Sequence, residues 1–161
     1  MGLTVAQQFF HLRRNTIFGG EGSVSRGKLV WRYERQPTIY SRTYSVRVTQ
    51  KEGDIPDVYV DAPDLSLLAD GRKLPHIYAE RPPRLCLYFP KTKEWSSSDR
   101  IDETLLPWTD LWLYYYEDWL FFDDWKGSGE HPDGSEFSSR NLRRFSLRNQ
   151  RRRGLTMAAS T

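Results

Sequence analysis

An α+β fold built on one antiparallel sheet follows from three patterns in the sequence. Residues 4–18 place apolar side chains near helical spacing. Residues 28–61 hold three short alternating segments separated by turn chemistry, with no helix between them. Residues 96–122 carry a long stripe of aromatic and aliphatic residues three and four apart. Strands that follow one another without a crossover helix pair antiparallel, and such a sheet buries one face.

In chain order, Thr4 is the expected N-cap of an amphipathic helix carrying Val5, Phe9, Phe10, Leu12 and Ile17, and Gly19, Gly20 and Gly22 are expected to end it. The first strand, 28–35, turns Leu29, Trp31 and Tyr33 to one side. The second, 42–50, turns Tyr44, Val46 and Val48 inward and Thr43, Ser45, Arg47 and Thr49 outward. The third, 57–61, pairs Val58 with Val60. Pro37, Gly53 and Pro56 mark the turns between them. Residues 61–73, with Pro63, Asp70 and Gly71, are expected to be a loop, and 85–89 a short apolar strand ended by Pro90. In the long helix Ile101, Leu105, Trp108, Trp112, Tyr115, Trp119 and Phe122 form the core stripe, Ser98 or Asp99 caps the start, and Pro107 should kink or break it.

The bulk numbers exclude several classes. A chain of 161 residues with 14% aromatic residues can bury a sizeable core as one domain. The formal net charge of +3 is too small to imply nucleic acid. Seven arginines and no acid lie between Ser138 and Thr161, so the body before them is slightly acidic. One cysteine cannot form an internal disulfide, and residues 1–14 lack the apolar core of a signal peptide, so the expected location is cytoplasmic. No run approaches the length of a membrane span. One Cys and three scattered His give no metal-ligand spacing, and no cofactor motif is visible.

The residues that carry chemistry cluster in LPHIYAERPPRLCLYFPKTKEW, residues 74–95. This stretch holds the only cysteine, Cys86, and His76 ten residues upstream. Arg81, Arg84, Lys91 and Lys93 surround Cys86 in sequence and would favour a thiolate, the form that acts as a nucleophile. The alternative is that a lone Cys in an apolar run is a buried small hydrophobe. His76 can serve as a base toward Cys86 or be a structural residue of the loop.

The order of elements resembles the ubiquitin-conjugating enzymes, the E2 family: an N-terminal helix, a meander, an extended loop with a His, ten residues to a Cys, a Trp, then a long helix. His76-Ile77-Tyr78 occupies the place of that family's His-Pro-Asn motif, and Cys86-Leu87-Tyr88 the place of its Cys-Leu-Asp. More closely, GKLVWRYERQPTIYSRTYSVRV, LPHIY, RLCLYFP, EW, TLLPW and the W-x-G-x-G-x-HP run from Trp125 to Pro132 look like the bacterial E2-like proteins of short type II CBASS antiphage operons. The resemblance covers about residues 27–132 and implies an E2/UBC-like fold over 1–134, followed by a basic tail over 135–161.

The resemblance also implies ubiquitin-like transfer chemistry. Cys86 would hold the C-terminal acyl group of a cGAS-like nucleotidyltransferase as a thioester and pass it to an amine, priming that partner for cyclic-nucleotide signalling, with an activating enzyme acting in trans. His76 is then expected to brace the loop or to donate a hydrogen bond. Tyr78 stands where the family has the Asn assigned to the oxyanion or to loop architecture. His131 recurs with the bacterial pattern, approaching Cys86 or stabilising its own loop. Asp99 and Asp102 are candidates for assisting deprotonation of a lysine, with capping as the alternative. Two other functions compete: an adaptor that only binds the nucleotidyltransferase, and a nucleic-acid-binding module using the Arg-rich tail.

Overall fold

In the computed structural model, which describes residues 2–88 and 94–127, six strands form one antiparallel sheet whose inner face is covered by helices. The elements are α1 (Val5–Arg14), β1 (Gly20–Ser25), β2 (Lys28–Arg35), β3 (Tyr44–Lys51), β4 (Asp57–Ala62), the short α2 (Leu65–Leu68), β5 (Ile77–Glu80), β6 (Pro83–Leu85), a 3-10 turn (Ile101–Glu103) and α3 (Leu105–Phe122). The strand order is β1-β2-β3-β4-β6-β5. The α+β class is therefore observed, as is the expected meander.

Period-two alternation explains the three long strands. Leu29, Trp31 and Tyr33 from β2, Tyr44, Val46 and Val48 from β3, and Val58 and Val60 from β4 are all buried on one face. Registers such as Trp31↔Val48 and Val48↔Val58 stack these residues into a single core. Full burial of such side chains stabilises by roughly 1.5–3 kcal/mol each.

The expected boundaries shift at both helices. α1 stops at Arg14, and its start is a capping box. The Gln7 amide donates to the Thr4 hydroxyl, and the Thr4 amide donates to Gln7 Oε1 at 2.9 Å, which is worth about 1 kcal/mol. Of the glycines expected to end α1, Gly20 and Gly22 instead belong to edge strand β1. A Cβ on Gly22 would meet the Val30 carbonyl oxygen at 2.1 Å, so the close approach of β2 requires glycine there.

Pro107 does not kink the second helix, because α3 begins at Leu105. Pro107 is its third residue, in the turn whose N–H groups have no intrahelical partner. Its N-cap is Thr104, and Asp99 instead closes a turn by accepting from the Ser96 amide and hydroxyl. The buried stripe of α3 is also wider than the spacing predicts. Leu106, Leu113 and Tyr116 are fully buried, whereas Trp108 and Tyr115 are half-buried and Phe122 is exposed.

Polar bonds fix α3 on the sheet. Glu117 accepts from the Tyr44 hydroxyl at 2.6 Å and from the Arg42 amide at 3.0 Å, and Tyr116 donates its hydroxyl to the Leu65 carbonyl at 2.7 Å. At the far end, Asp123 caps the helix in the left-handed conformation. Arg72 lies 4.4 Å from the Trp119 ring and pairs with Asp123 at 2.9 Å. Arg72 thereby fastens the segment leading to β5 beneath α3. No helix among the described residues is long and apolar enough to cross a membrane.

Candidate functional site

Residues 76–86 are a hairpin whose two ends are tied together. β5 and β6 pair through Ile77↔Leu85 and Glu80↔Pro83, and a turn containing a cis Arg81–Pro82 bond joins them. His76, just before β5, holds a left-handed φ of 46°. Its carbonyl accepts the Cys86 amide at 2.9 Å and the Trp112 indole N–H at 3.1 Å. The ten-residue interval is thus the contour of a closed hairpin, and helix α3 contributes the second donor.

The pairing of β5 with β6 is irregular. Ile77 faces Leu85 and Ala79 faces Arg84, so Tyr78 is the extra residue of a β-bulge. A bulge re-aims the side chain it carries. The Tyr78 ring is 40% exposed beside this strand end. The Arg84 guanidinium sits 5.0 Å from that ring and is itself paired with Asp57 at 3.1 Å.

Cys86 is 9% exposed, immediately after β6, and its thiol lies 3.7 Å from the Tyr88 carbonyl as a weak donor. Burial pushes its pKa above the ordinary thiol value. The nearby Tyr78 phenol opposes that rise, and the charge of Glu94 adds to it. The expectation that neighbouring cations favour a thiolate is therefore corrected. Arg84 spends its charge on Asp57 and Tyr78, Glu94 is the charge felt at the sulfur, and Lys91 and Lys93 lie outside the described residues. Burial likewise pushes the Tyr78 phenol up, with nearby Cys86 adding to the rise.

The His76 imidazole is buried and stacks on Trp125, with ring centroids 5.1 Å apart and planes 26° apart. Trp125 in turn packs against Trp112 at 5.6 Å and Tyr115 at 5.9 Å. Gly127 passes directly over this indole: a Cβ there would stand 2.6 Å from Trp125 Nε1. The ring thus packs on an aromatic wall while the backbone carbonyl holds the Cys86 amide and the Trp112 indole.

Asp99 and Asp102 belong to a different neighbourhood. Asp99 closes the turn at Ser96, and its carbonyl accepts from the buried Gln8 side chain at 2.7 Å. Asp102 is 2% exposed and accepts from Arg100 at 2.6 Å and from Asn15 at 3.1 Å. Burial raises its pKa, but these bonds outweigh burial and hold the carboxyl below the usual range. The Asp99 carbonyl and the Asp102 side chain tie α1 and its C-cap to the segment before α3. His131 and the tail over 135–161 lie outside the described residues. Among the described residues no cluster of three or more His, Cys, Asp or Glu can hold a metal ion.

Trp112, Trp125 and Asp57 are site residues that spacing alone does not single out, and spacing gives no sign that Arg84 pairs with Asp57. The signal for the aromatic wall is the Trp125-x-Gly127 pair, which keeps a residue without a side chain beside an indole. The remaining pair has no sequence signal, since Asp57 and Arg84 are brought together only by the contact of β4 with β6. Taken together, the site offers one thiol on a backbone held by the His76 carbonyl and Trp112.

A family model described as Type II CBASS E2 protein matches residues 8–132, which takes in every element of the sheet and all of α3. No match to this chain is found among curated proteins.

Proposed function

Because the chain belongs to the family of Type II CBASS E2 proteins, we propose that it is an E2-like transferase. In this reading it carries the C-terminus of a cGAS-like nucleotidyltransferase as a thioester on Cys86. The observation that carries it is the placement of the single cysteine of the chain at the end of a hairpin clamped by the His76 carbonyl.

The chemistry balances as two acyl transfers. An activating enzyme in trans presents the partner's C-terminus as an activated acyl group. The Cys86 thiolate forms the S–C bond, the bond to the leaving group breaks, and the leaving group departs with its electron pair. A neutral amine then forms the N–C bond, the S–C bond breaks with its electrons returning to sulfur, and the proton lost by the amine balances the one regained by the thiol. His76 holds the Cys86 backbone through this cycle by its carbonyl, and Trp112 holds His76.

The test is intact-mass analysis of the protein co-expressed with its nucleotidyltransferase and activating enzyme. An adduct of the partner's mass that hydroxylamine removes, and that Cys86→Ala abolishes while the fold persists, supports the reading. Conjugates that persist in Cys86→Ala sink it.

A second reading has its own support. The buried thiol with a raised pKa, and Tyr78 in place of the family's Asn, suit a non-catalytic adaptor that docks the nucleotidyltransferase without a covalent step. Stable co-purification of the two proteins with no thiol-sensitive adduct on a non-reducing gel is the outcome that would favour it.

A further inference from the structure

We propose that the exposed face of α3 is the seat of this chain's own C-terminal segment, residues 140–153, held there by arginine on aromatic rings and carboxylates. The inference goes beyond the transfer reading and does not depend on it. It concerns the side of α3 turned away from the Trp112 bond to His76.

Leu111, Tyr114, Phe121 and Phe122 are exposed, Phe121 by 77%. At about 100° per residue these four fall on one side of the helix with Asp118 among them, and half-buried Tyr115 borders them. An apolar stripe rimmed by polar groups marks a surface that something covers. A cation already stands on it: Lys126 lies 4.7 Å from the Phe122 ring centroid and pairs with Asp118 at 2.8 Å.

The course of the chain points to the occupant. Asp123 takes the left-handed conformation, and the chain then doubles back. Trp125 meets Tyr115 and Trp112, about two and three turns before the helix end, and Lys126 returns to Asp118. The residues that follow α3 therefore lie back along the helix they have just left. From Gly127 to Arg140 the chain can span about 45 Å, whereas the 18 residues of α3 are about 27 Å long, so the whole stripe is in reach. The charges are complementary. Residues 105–124 hold Asp110, Glu117, Asp118, Asp123 and Asp124 and no Lys or Arg, while 138–161 holds seven arginines and no acid. Arg35 and Arg42 answer Asp110 and Glu117 from the sheet, but Asp118 lies within the stripe and Asp124 is exposed beyond its end. Arg143 and Arg144 stand between Leu142 and Phe145, so the segment brings apolar side chains with its charge. The chain uses this chemistry elsewhere: Arg47 covers Tyr59 while pairing with Asp61, and Arg72 covers Trp119 while pairing with Asp123. A short tether gives an effective concentration of about 1 mM, so even a seat with a dissociation constant of that size is half filled.

The test is photo-cross-linking of the full-length protein with benzoylphenylalanine in place of Phe121, the products being mapped by mass. The expected product joins position 121 to residues 140–153. In a mixture of 15N-labelled and unlabelled protein, its two peptides should carry the same label. Weakening a half-filled seat about fivefold leaves it about one-sixth filled. Tyr114→Ser, and Arg143→Glu combined with Arg144→Glu, should therefore each cut the yield about threefold, as should raising salt from about 0.1 M to 1 M. Tyr114 is exposed, so its replacement leaves the core intact, and far-UV circular dichroism checks each variant. Should the probe at 121 disturb the fold, the same probe replaces Leu111. Absence of tail peptides from the products overturns the proposal. Products of mixed label also overturn it and give the face to a second copy. Products with a co-expressed nucleotidyltransferase in place of the tail overturn it and give the face to that partner. A yield indifferent to salt and to charge reversal overturns the role of the arginines.

Discussion

Trp112 donates its indole N–H to the backbone carbonyl of His76 at 3.1 Å, and through that one oxygen helix α3 holds the amide of Cys86. The bond joins the longest helix to the shortest pair of strands, and it places the rigidity of the core behind the thiol.

Trp112→Phe keeps an aromatic ring against Tyr116 but removes the donor. The His76 carbonyl retains the Cys86 amide, so the loss should be about 1–2 kcal/mol rather than the full cost of a buried unpaired group. Urea denaturation followed by circular dichroism measures it. Adduct formation at Cys86 should fall by more than the stability loss explains, because the hairpin end is loosened.

Glu117 is the buried anchor of α3, accepting from the Tyr44 hydroxyl, the Arg42 amide and the Arg42 guanidinium. Glu117→Leu would bury the Tyr44 hydroxyl without its acceptor, at an expected cost of roughly 2–4 kcal/mol. Glu117→Gln keeps one acceptor and should cost about half as much. Equal losses in the two variants, read from urea midpoints at unchanged slope, would show that the hydrogen bond to Tyr44 is not what holds the helix.

Gly127→Ala tests the aromatic wall. The added methyl would fall 2.6 Å from Trp125 Nε1, so the indole or the chain must move, and the stack on His76 loosens. The expected result is a change in tryptophan fluorescence with little change in global stability, together with slower formation of the Cys86 adduct. Loss of the whole fold would contradict a local role for this contact.

The pH dependence has two arms of opposite sign. Asp102 has a folded pKa below the ordinary carboxylate value, so its contribution is fully present above that value and is lost as pH falls through the folded pKa. Cys86 has a folded pKa above the ordinary thiol value, so its contribution is present below that value and is lost as pH rises through the folded pKa. Asn15→Ala removes one bond to Asp102 and should narrow the acid arm. Cys86→Ser should abolish the alkaline arm assigned to the thiol. Melting temperatures from mildly acid to alkaline pH read both, and the rate of Cys86 alkylation should climb with pH past the value of an ordinary thiol.

Much of the frame was legible because alternation is a local property. Leu29, Trp31, Tyr33, Tyr44, Val46 and Val48 announce their buried face one residue at a time. β1 was hidden because Gly20 and Gly22 look like breakers until the backbone of β2 is laid against them. Pro107 misled because its effect depends on where the helix starts, and Thr104 gives no side-chain cap to mark that start. At the site, the place of Cys86 and its distance from His76 were visible in the spacing. The electrostatics were not, since charges adjacent in sequence diverge in space: Arg84 turns to Asp57, and Glu94 is the charge the sulfur feels. The direction of Tyr78 was invisible for a related reason, because an irregular register leaves no periodic trace.

The extra residue at Tyr78 makes the site sensitive to counting. Side chains in a strand alternate strictly, so deleting one residue between His76 and Ala79 would let β5 and β6 pair without interruption and would remove the bulge at Tyr78. A replacement within this hairpin alters one contact, whereas a change of length by one alters which wall of the sheet every later residue of β5 faces. The spacing between His76 and Cys86 is therefore a gauge length, and frame-preserving insertions or deletions there should be tolerated less well than any single substitution.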